Sequence, residues 1–217
     1  MLCKMLFGRN KRKNTGLEKE VSGILFRNPV GSTQPCKSAS FIVTAPPKDN
    51  VINWISAIRQ HYEGKVILVD IAEDIQRNFS LSYDFADIIV INPNKNGGIN
   101  AMDISDTVSM LDSLLSLRLC YEKYTPVYLR ISNELTPEEL DTVLSYSRLS
   151  GIDGIVAHGL AKVKSLYEHT QGRIPIIGCT ENPEEALQLL SSGASLVELN
   201  AGLLSVKKTL KTLLEKS

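Results

Sequence analysis

The chain has 217 residues, 43% of them hydrophobic and 22% charged, with 24 Lys and Arg against 24 Asp and Glu. That composition describes a folded globular chain and excludes disordered and collagen-like classes, while a formal net charge of zero removes the broad electrostatic basis for binding a nucleic-acid backbone. The 4 cysteines, Cys3, Cys36, Cys120 and Cys179, show neither a C-x-x-C pair nor zinc-finger spacing, so no metal and no disulfide framework is expected and the cytoplasm fits best.

The opening segment MLCKMLFGRNKRKN carries Lys4, Arg9, Lys11, Arg12 and Lys13 too early to leave the apolar core of a secretory signal. Residues 1–20 read as a solvated basic tail, residues 21–217 as one domain, and no run reaches membrane-spanning length. From residue 23 onward eight short runs rich in Val, Ile and Leu recur: 23–30, 38–45, 65–72, 86–93, 126–132, 154–159, 174–179 and 195–201. Most are apolar on both faces, which is the pattern of strands buried inside a parallel sheet.

Helical stretches fall between them. Asn50 precedes a stripe of Ile52, Ile55 and Ile58 and reads as an N-cap. From Asp103 the stripe is Ile104, Val108, Leu111 and Leu115. Thr136-Pro137-Glu138-Glu139 and Asn182-Pro183-Glu184-Glu185 each supply a cap, a proline at the first helical position and a capping-box glutamate. Val206, Leu210 and Leu214 mark a closing helix. Eight strands with helices between most of them predict a compact (β/α)8 barrel, with an open doubly wound sheet as the alternative. The connection at 31–37 is too short for a helix, so the first βα unit is trimmed.

In such a barrel the chemistry sits at the C-terminal ends of the strands. Those ends are polar here: Asp70 with Glu73 and Asp74, Asn92-Pro93-Asn94, Arg130, His158, Cys179-Thr180-Glu181, and Glu198-Leu199-Asn200-Ala201-Gly202. Asp70 and Arg130 are expected to pair, as a structural ion pair or as ligand contacts, because an unpaired buried charge is costly. The loops after the last two strands, Cys179 to Asn182 and Asn200 to Gly202, are where a barrel commonly binds phosphate, although Glu181 opposes an anion. His158 is suited to acid-base work or to a structural hydrogen bond. Cys179 reads as a small apolar filler rather than a nucleophile. Asn96-Gly97-Gly98 is a turn that either folds over a ligand or reverses the chain. Walker A, G-x-G-x-x-G and H-E-x-x-H motifs do not occur.

The strands themselves carry a resemblance. VSGILFRNPVGS at 21–32 resembles the opening strand of dihydroorotate dehydrogenases, and FIVTAPP at 41–47 and DIIVINPN at 87–94 resemble later ones. PVYLRIS, GIDGIVA, IPIIG and SGASLVELNAGLL follow in the family's order. The resemblance covers nearly everything after residue 20, although family members are longer. It implies an FMN-dependent barrel that oxidises dihydroorotate to orotate in pyrimidine synthesis, and barrels that associate into homo-oligomers. By position it implies cofactor contacts at Asn92, Asn94, Cys179, Thr180, Asn200, Ala201 and Gly202, with Arg130, His158 and Asp70 as catalytic candidates.

The departures fall at strand ends. The family's Ser or Cys base lies just before its Pro-Asn; here Asn92 precedes Pro93, and an amide is no base. The strand-five lysine that stabilises reduced flavin corresponds to Arg130. Asp70 stands for an asparagine, Glu73 for a lysine, His158-Gly159-Leu160 for Asn-Thr-Thr, and Thr180-Glu181-Asn182 for the glycines of the phosphate loop. The expectation is therefore a divergent ligand-binding or regulatory relative that takes a small anionic molecule, phosphorylated or not. An FMN oxidoreductase is the first alternative, and a flavin-free enzyme acting on a phosphorylated or carboxylated substrate the second.

Overall fold

The computed structural model describes residues 16–34, 36–93, 104–131, 135–136, 138–139, 141–142, 145 and 151–216. Its first element is an antiparallel hairpin of β1 (Lys19–Val21) and β2 (Ile24–Phe26), joined through Ser22 and Gly23. Both turn residues have positive φ, 51° and 74°, the backbone that a two-residue hairpin turn requires. The apolar run at 23–30 is therefore not one barrel strand as expected. Asn28 accepts the Val30 N–H on its side chain at 3.0 Å, a local turn that with Pro29 separates the hairpin from the barrel. The expected tail boundary at residue 20 falls inside β1, and the tail's first fifteen residues lie outside those described.

The barrel strands are β3 (Val30–Ser32), β4 (Phe41–Thr44), β5 (Val66–Ile71), β6 (Ile88–Ile91), β7 (Val127–Arg130), β8 (Gly154–His158), β9 (Ile176–Thr180) and β10 (Leu196–Leu199). All pair in parallel with their neighbours in chain order, and β10 closes onto β3 through Val197↔Val30, Glu198↔Gly31 and Leu199↔Ser32. That closure makes the fold a (β/α)8 barrel and rules out the open sheet. The helices are α1 (Val51–His61), α2 (Ile75–Ser82), α3 (Ile104–Arg118), α4 (Leu160–Thr170), α5 (Pro183–Ser191) and α6 (Leu203–Lys216). Among the described residues of 33–40 none is helical, so the trimmed first βα unit is real.

Local signals explain most boundaries. Asn182 caps α5, its side chain accepting the Glu184 N–H at 2.8 Å with Pro183 following. Glu185 does not complete the capping box; its carboxylate takes the Thr180 hydroxyl instead, at 2.5 Å. At Thr136 the box does form, with Glu139 accepting the Thr136 N–H at 2.8 Å. Asn50 sits at the start of α1 in a left-handed conformation without a side-chain cap, so its capping role is not realised.

Strand alternation sorts the core into two layers. Leu68, Val90, Tyr128, Val156, Ile177 and Leu196 point into the barrel with Phe41 and Val43, while Ile67, Val69, Ile71, Ile89 and Ile91 face the helices. Glycine makes room inside: a Cβ on Gly31 would lie 2.0 Å from the Phe41 ring, and one on Gly154 2.3 Å from Tyr128. The hairpin packs Val21 and Phe26 against this inner layer, and Ser22 hydrogen-bonds the Tyr128 hydroxyl at 2.7 Å.

The N-terminal end of the barrel carries one clamp twice. Asp87, just before β6, accepts the Ile67 N–H of β5 at 2.8 Å and pairs with Arg59 of α1 at 2.9 Å. Two units on, Asp153 before β8 accepts the Val127 N–H of β7 at 2.8 Å and pairs with Arg118 of α3 at 3.1 Å. Each carboxylate thereby ties a helix end to the start of a strand.

Candidate functional site

The alternation that fills the barrel with apolar side chains puts a polar one at the next inward position on six strands. Beyond Leu68, Val90, Tyr128, Val156, Ile177 and Leu196 come Asp70, Asn92, Arg130, His158, Cys179 and Glu198. Neighbouring strands are in register here, Arg130 with Val156 and His158 with Cys179, so these side chains converge at the C-terminal mouth.

Arg130 is the hub. Its Nη2 donates to Asp70 Oδ2 at 2.5 Å and to Glu198 Oε2 at 3.0 Å. Its Nη1 lies 3.3 Å from both His158 Nε2 and Cys179 Sγ. The arginine is 4% exposed and Glu198 6%, so two carboxylates share one cation out of water. Burial by itself works to lower the Arg130 pKa, but Glu198, then Cys179 and Asp70, raise it, and the guanidinium stays charged. For Asp70 burial wins: its pKa is raised, because Arg130 is shared and Glu198 adds repulsion.

His158 is pushed below its ordinary value by burial and then by Arg130. A guanidinium N–H only donates, so Nε2 facing it acts as acceptor and the ring proton sits on Nδ1. The Nε2 lone pair, which a general base needs, is therefore turned to Arg130. Burial pushes the Cys179 thiol well up, and Glu198 adds to it; the thiol donates to Glu198 Oε2 at 3.4 Å. Cys179 is thus a buried neutral thiol with no activating base.

Above the cluster lies a cavity of about 360 Å³ lined by His158, Cys179, Thr180, Glu181, Glu185 and Asn200, among others. The loop after β9 uses its own donors. Asn182 N–H goes to Thr180 Oγ1 at 3.0 Å, and the first free amide of α5, Glu184 N–H, goes to Asn182. Asn200 donates to Glu181 Oε1 at 3.3 Å and accepts from the Thr33 hydroxyl at 2.8 Å. Within the cluster two buried side-chain atoms have no hydrogen-bond partner, the Arg130 Nε and the Asn92 Oδ1. Both belong to residues that hydrogen-bond Asp70.

Asp70, Arg130, His158 and Cys179 therefore meet as one network, with the expected Asp70–Arg130 pair at its centre. Asn92 joins through Asp70, and Thr180 and Asn200 border the cavity. Ala201 and Gly202 are on the rim, where the Ala201 carbonyl accepts from Ser32 Oγ at 3.5 Å and a Cβ on Gly202 would meet only Gln34, at 3.6 Å. Asn94 and the Asn96-Gly97-Gly98 turn lie outside the described residues. Glu198, the second partner of Arg130, was absent from the expected site set. The alternation in Leu196-Val197-Glu198 signals it, because the residue two beyond an inward leucine must also point inward. Among the described residues, no group of His, Cys, Asp and Glu is placed to hold a metal ion, and no helix is long and apolar enough to cross a membrane.

No protein-family model matches the chain. Curated relatives are dihydroorotate dehydrogenases (quinone). That of Coxiella burnetii is 26% identical over 170 residues, covering 61% of this chain and 49% of the relative. Those of Aeromonas hydrophila and Psychrobacter are 27% and 24% identical over 159 and 160 residues, covering 55% and 56% of this chain. The chain spans about half the length of these relatives. Among solved structures, the Amycolatopsis orientalis BexX/CysO complex contains a chain with a TM-score of 0.63 at 12% identity, covering 90% of this chain and 92% of that one, a likeness of fold. The chain is thus similar in sequence to dihydroorotate dehydrogenases (quinone) over more than half of its length, and it folds as a (β/α)8 barrel.

Proposed function

We propose that this barrel is a ligand-binding or regulatory relative of the dihydroorotate dehydrogenases, one that binds a small polar molecule at its mouth without flavin chemistry. The observation that carries the reading is the double engagement of Arg130 by Asp70 and Glu198. Among the described residues the one cation at the centre of the mouth is neutralised from within the protein, and two carboxylates against it leave the buried cluster no spare positive charge.

The loop after β9 bears on FMN. Buried beside Asp70, the Arg130 Nε donor and the Asn92 Oδ1 acceptor have no hydrogen-bond partner, but neither residue lines the cavity. In the loop after β9 the Asn182 and Glu184 N–H groups are taken by the Thr180 and Asn182 side chains, and Glu181 and Glu185 line the cavity. A phosphate in that loop would face two carboxylates. The loop therefore disfavours the phosphate of FMN or of any other phosphorylated ligand. The ligand class this favours is a small uncharged molecule.

The flavin-free enzyme reading has one point in its favour, the convergence of Asp70, Arg130 and His158. The orientation of His158 weighs against it, since its acceptor nitrogen is engaged. Thermal shift with riboflavin and with FMN tests the ligand class, because the two differ in the phosphate. FMN should stabilise the protein no more than riboflavin does. Markedly greater stabilisation by FMN would overturn the reading.

A further inference from the structure

The trimmed first βα unit has a structural consequence on the outside of the barrel. Between β3 and β4 no described residue is helical, so on the outer face of β4 no helix from that connection lies beside Thr44, which is half-buried, while Ile42 is buried under α1. α1 borders that gap with Trp54, Ala57, Ile58 and His61, residues at i, i+3, i+4 and i+7 on one face. The result is a cavity of about 550 Å³ that runs from Thr33 and Thr44 down to Tyr62.

Its size decides the class of occupant. A helix as long as α1, 11 residues, fills a cylinder of about 1,300 Å³, more than twice this space. A single small molecule matches it. The chemistry narrows the ligand further. Trp54 and the edge-to-face pair of His61 and Tyr62, ring centroids 4.6 Å apart, offer aromatic contact, and Ile42 and Ile58 add apolar walls. No carboxylate, lysine or arginine is among the lining residues, so recognition there rests on ring and apolar contact. We infer that this cavity, formed where the first barrel helix is missing, is a second binding site, for a planar aromatic molecule. It is built from residues separate from the charged mouth, so it stands or falls independently of the ligand assigned there.

The chain has 1 tryptophan, so Trp54 emission reports on this cavity alone. The full-length protein is titrated with 1-anilinonaphthalene-8-sulfonate under excitation of tryptophan. Binding should saturate at one probe per chain, with quenching of Trp54 and energy transfer to the probe. Ala57→Leu places three carbons in the cavity from an exposed helical position and should raise the Kd about tenfold, with an unchanged circular dichroism spectrum. Thr44→Leu, filling the opposite wall, should act in the same direction. Non-saturating probe emission, an unquenched Trp54, or unchanged affinity in both folded variants would overturn the site. So would sedimentation equilibrium showing self-association that shields Trp54, because the occupant would then be a second copy of the chain.

Discussion

Replacing Arg130 with methionine removes the cation that Asp70 and Glu198 share and leaves those two carboxylates facing each other across the barrel. The Arg130 side chain is 5% exposed, Asp70 16% and Glu198 7%, so solvent screens them little. Breaking a buried ion pair by deleting one partner costs about 3–5 kcal/mol. For a domain of this size that corresponds to a fall in Tm of about 6–20 °C. The loss must also depend on pH. Without the guanidinium the Asp70 pKa, already raised by burial, rises further above its unfolded value. Its contribution to stability is then present below the unfolded pKa and lost as pH rises through the folded one. The Arg130→Met deficit is therefore small near pH 4 and grows toward neutrality, about the ordinary carboxylate range. Denaturant melts followed by circular dichroism at several pH values measure it. Adding Asp70→Asn and Glu198→Gln to Arg130→Met should recover most of the loss, since no unpaired charge then remains. A deficit under about 1 kcal/mol that does not change with pH would refute the buried-network argument.

Three further outcomes follow from the same geometry. His158 has a lowered folded-state pKa, so its contribution to stability is present above its unfolded value and lost as pH falls through the folded one; NMR titration should find it below the ordinary 6.5, and a value above that would contradict its burial beside Arg130. Gly31→Ala and Gly154→Ala force a Cβ into the Phe41 and Tyr128 rings and should each cost about 3 kcal/mol, whereas Gly202→Ala, with its nearest neighbour at 3.6 Å, should change stability by under about 0.5 kcal/mol in the same urea melts. Asp87→Ala and Asp153→Ala each strand a strand N–H and an arginine and should lower stability by about 1–3 kcal/mol, with amide exchange accelerating first at Ile67 and Val127 respectively.

The barrel was legible because its strands are apolar on both faces, a pattern that few other folds produce. The first strand was misplaced for a related reason: Ile24, Leu25 and Phe26 are as apolar as a barrel strand, and only the Ser22-Gly23 turn and the Asn28-Pro29 break separate them from it. Asp70, Arg130, His158 and Cys179 could be found because charged or reactive side chains are conspicuous at the ends of apolar runs. Glu198 is conspicuous in the same way and the same period-2 rule turns it inward, but the expected contacts on its strand begin at Asn200 and leave it out. What alternation does not specify is which acceptor a shared arginine prefers or which way an imidazole turns. Those follow from the curvature of the closed barrel, which brings β5, β7 and β10 to one point though they are far apart in sequence. Asn50 shows the limit of local signals: the residue type suits a cap, but its left-handed backbone carries the side chain away from the helix amides.

The central claim is that the mouth has exchanged flavin binding for an internal charge network. Its most direct test is the visible absorption spectrum of the protein purified without denaturation, then incubated with excess FMN and freed of the unbound fraction. The network predicts a colourless protein before and after. Flavin bands near one equivalent per chain would contradict it, and would return the barrel to the oxidoreductases that its sequence resembles.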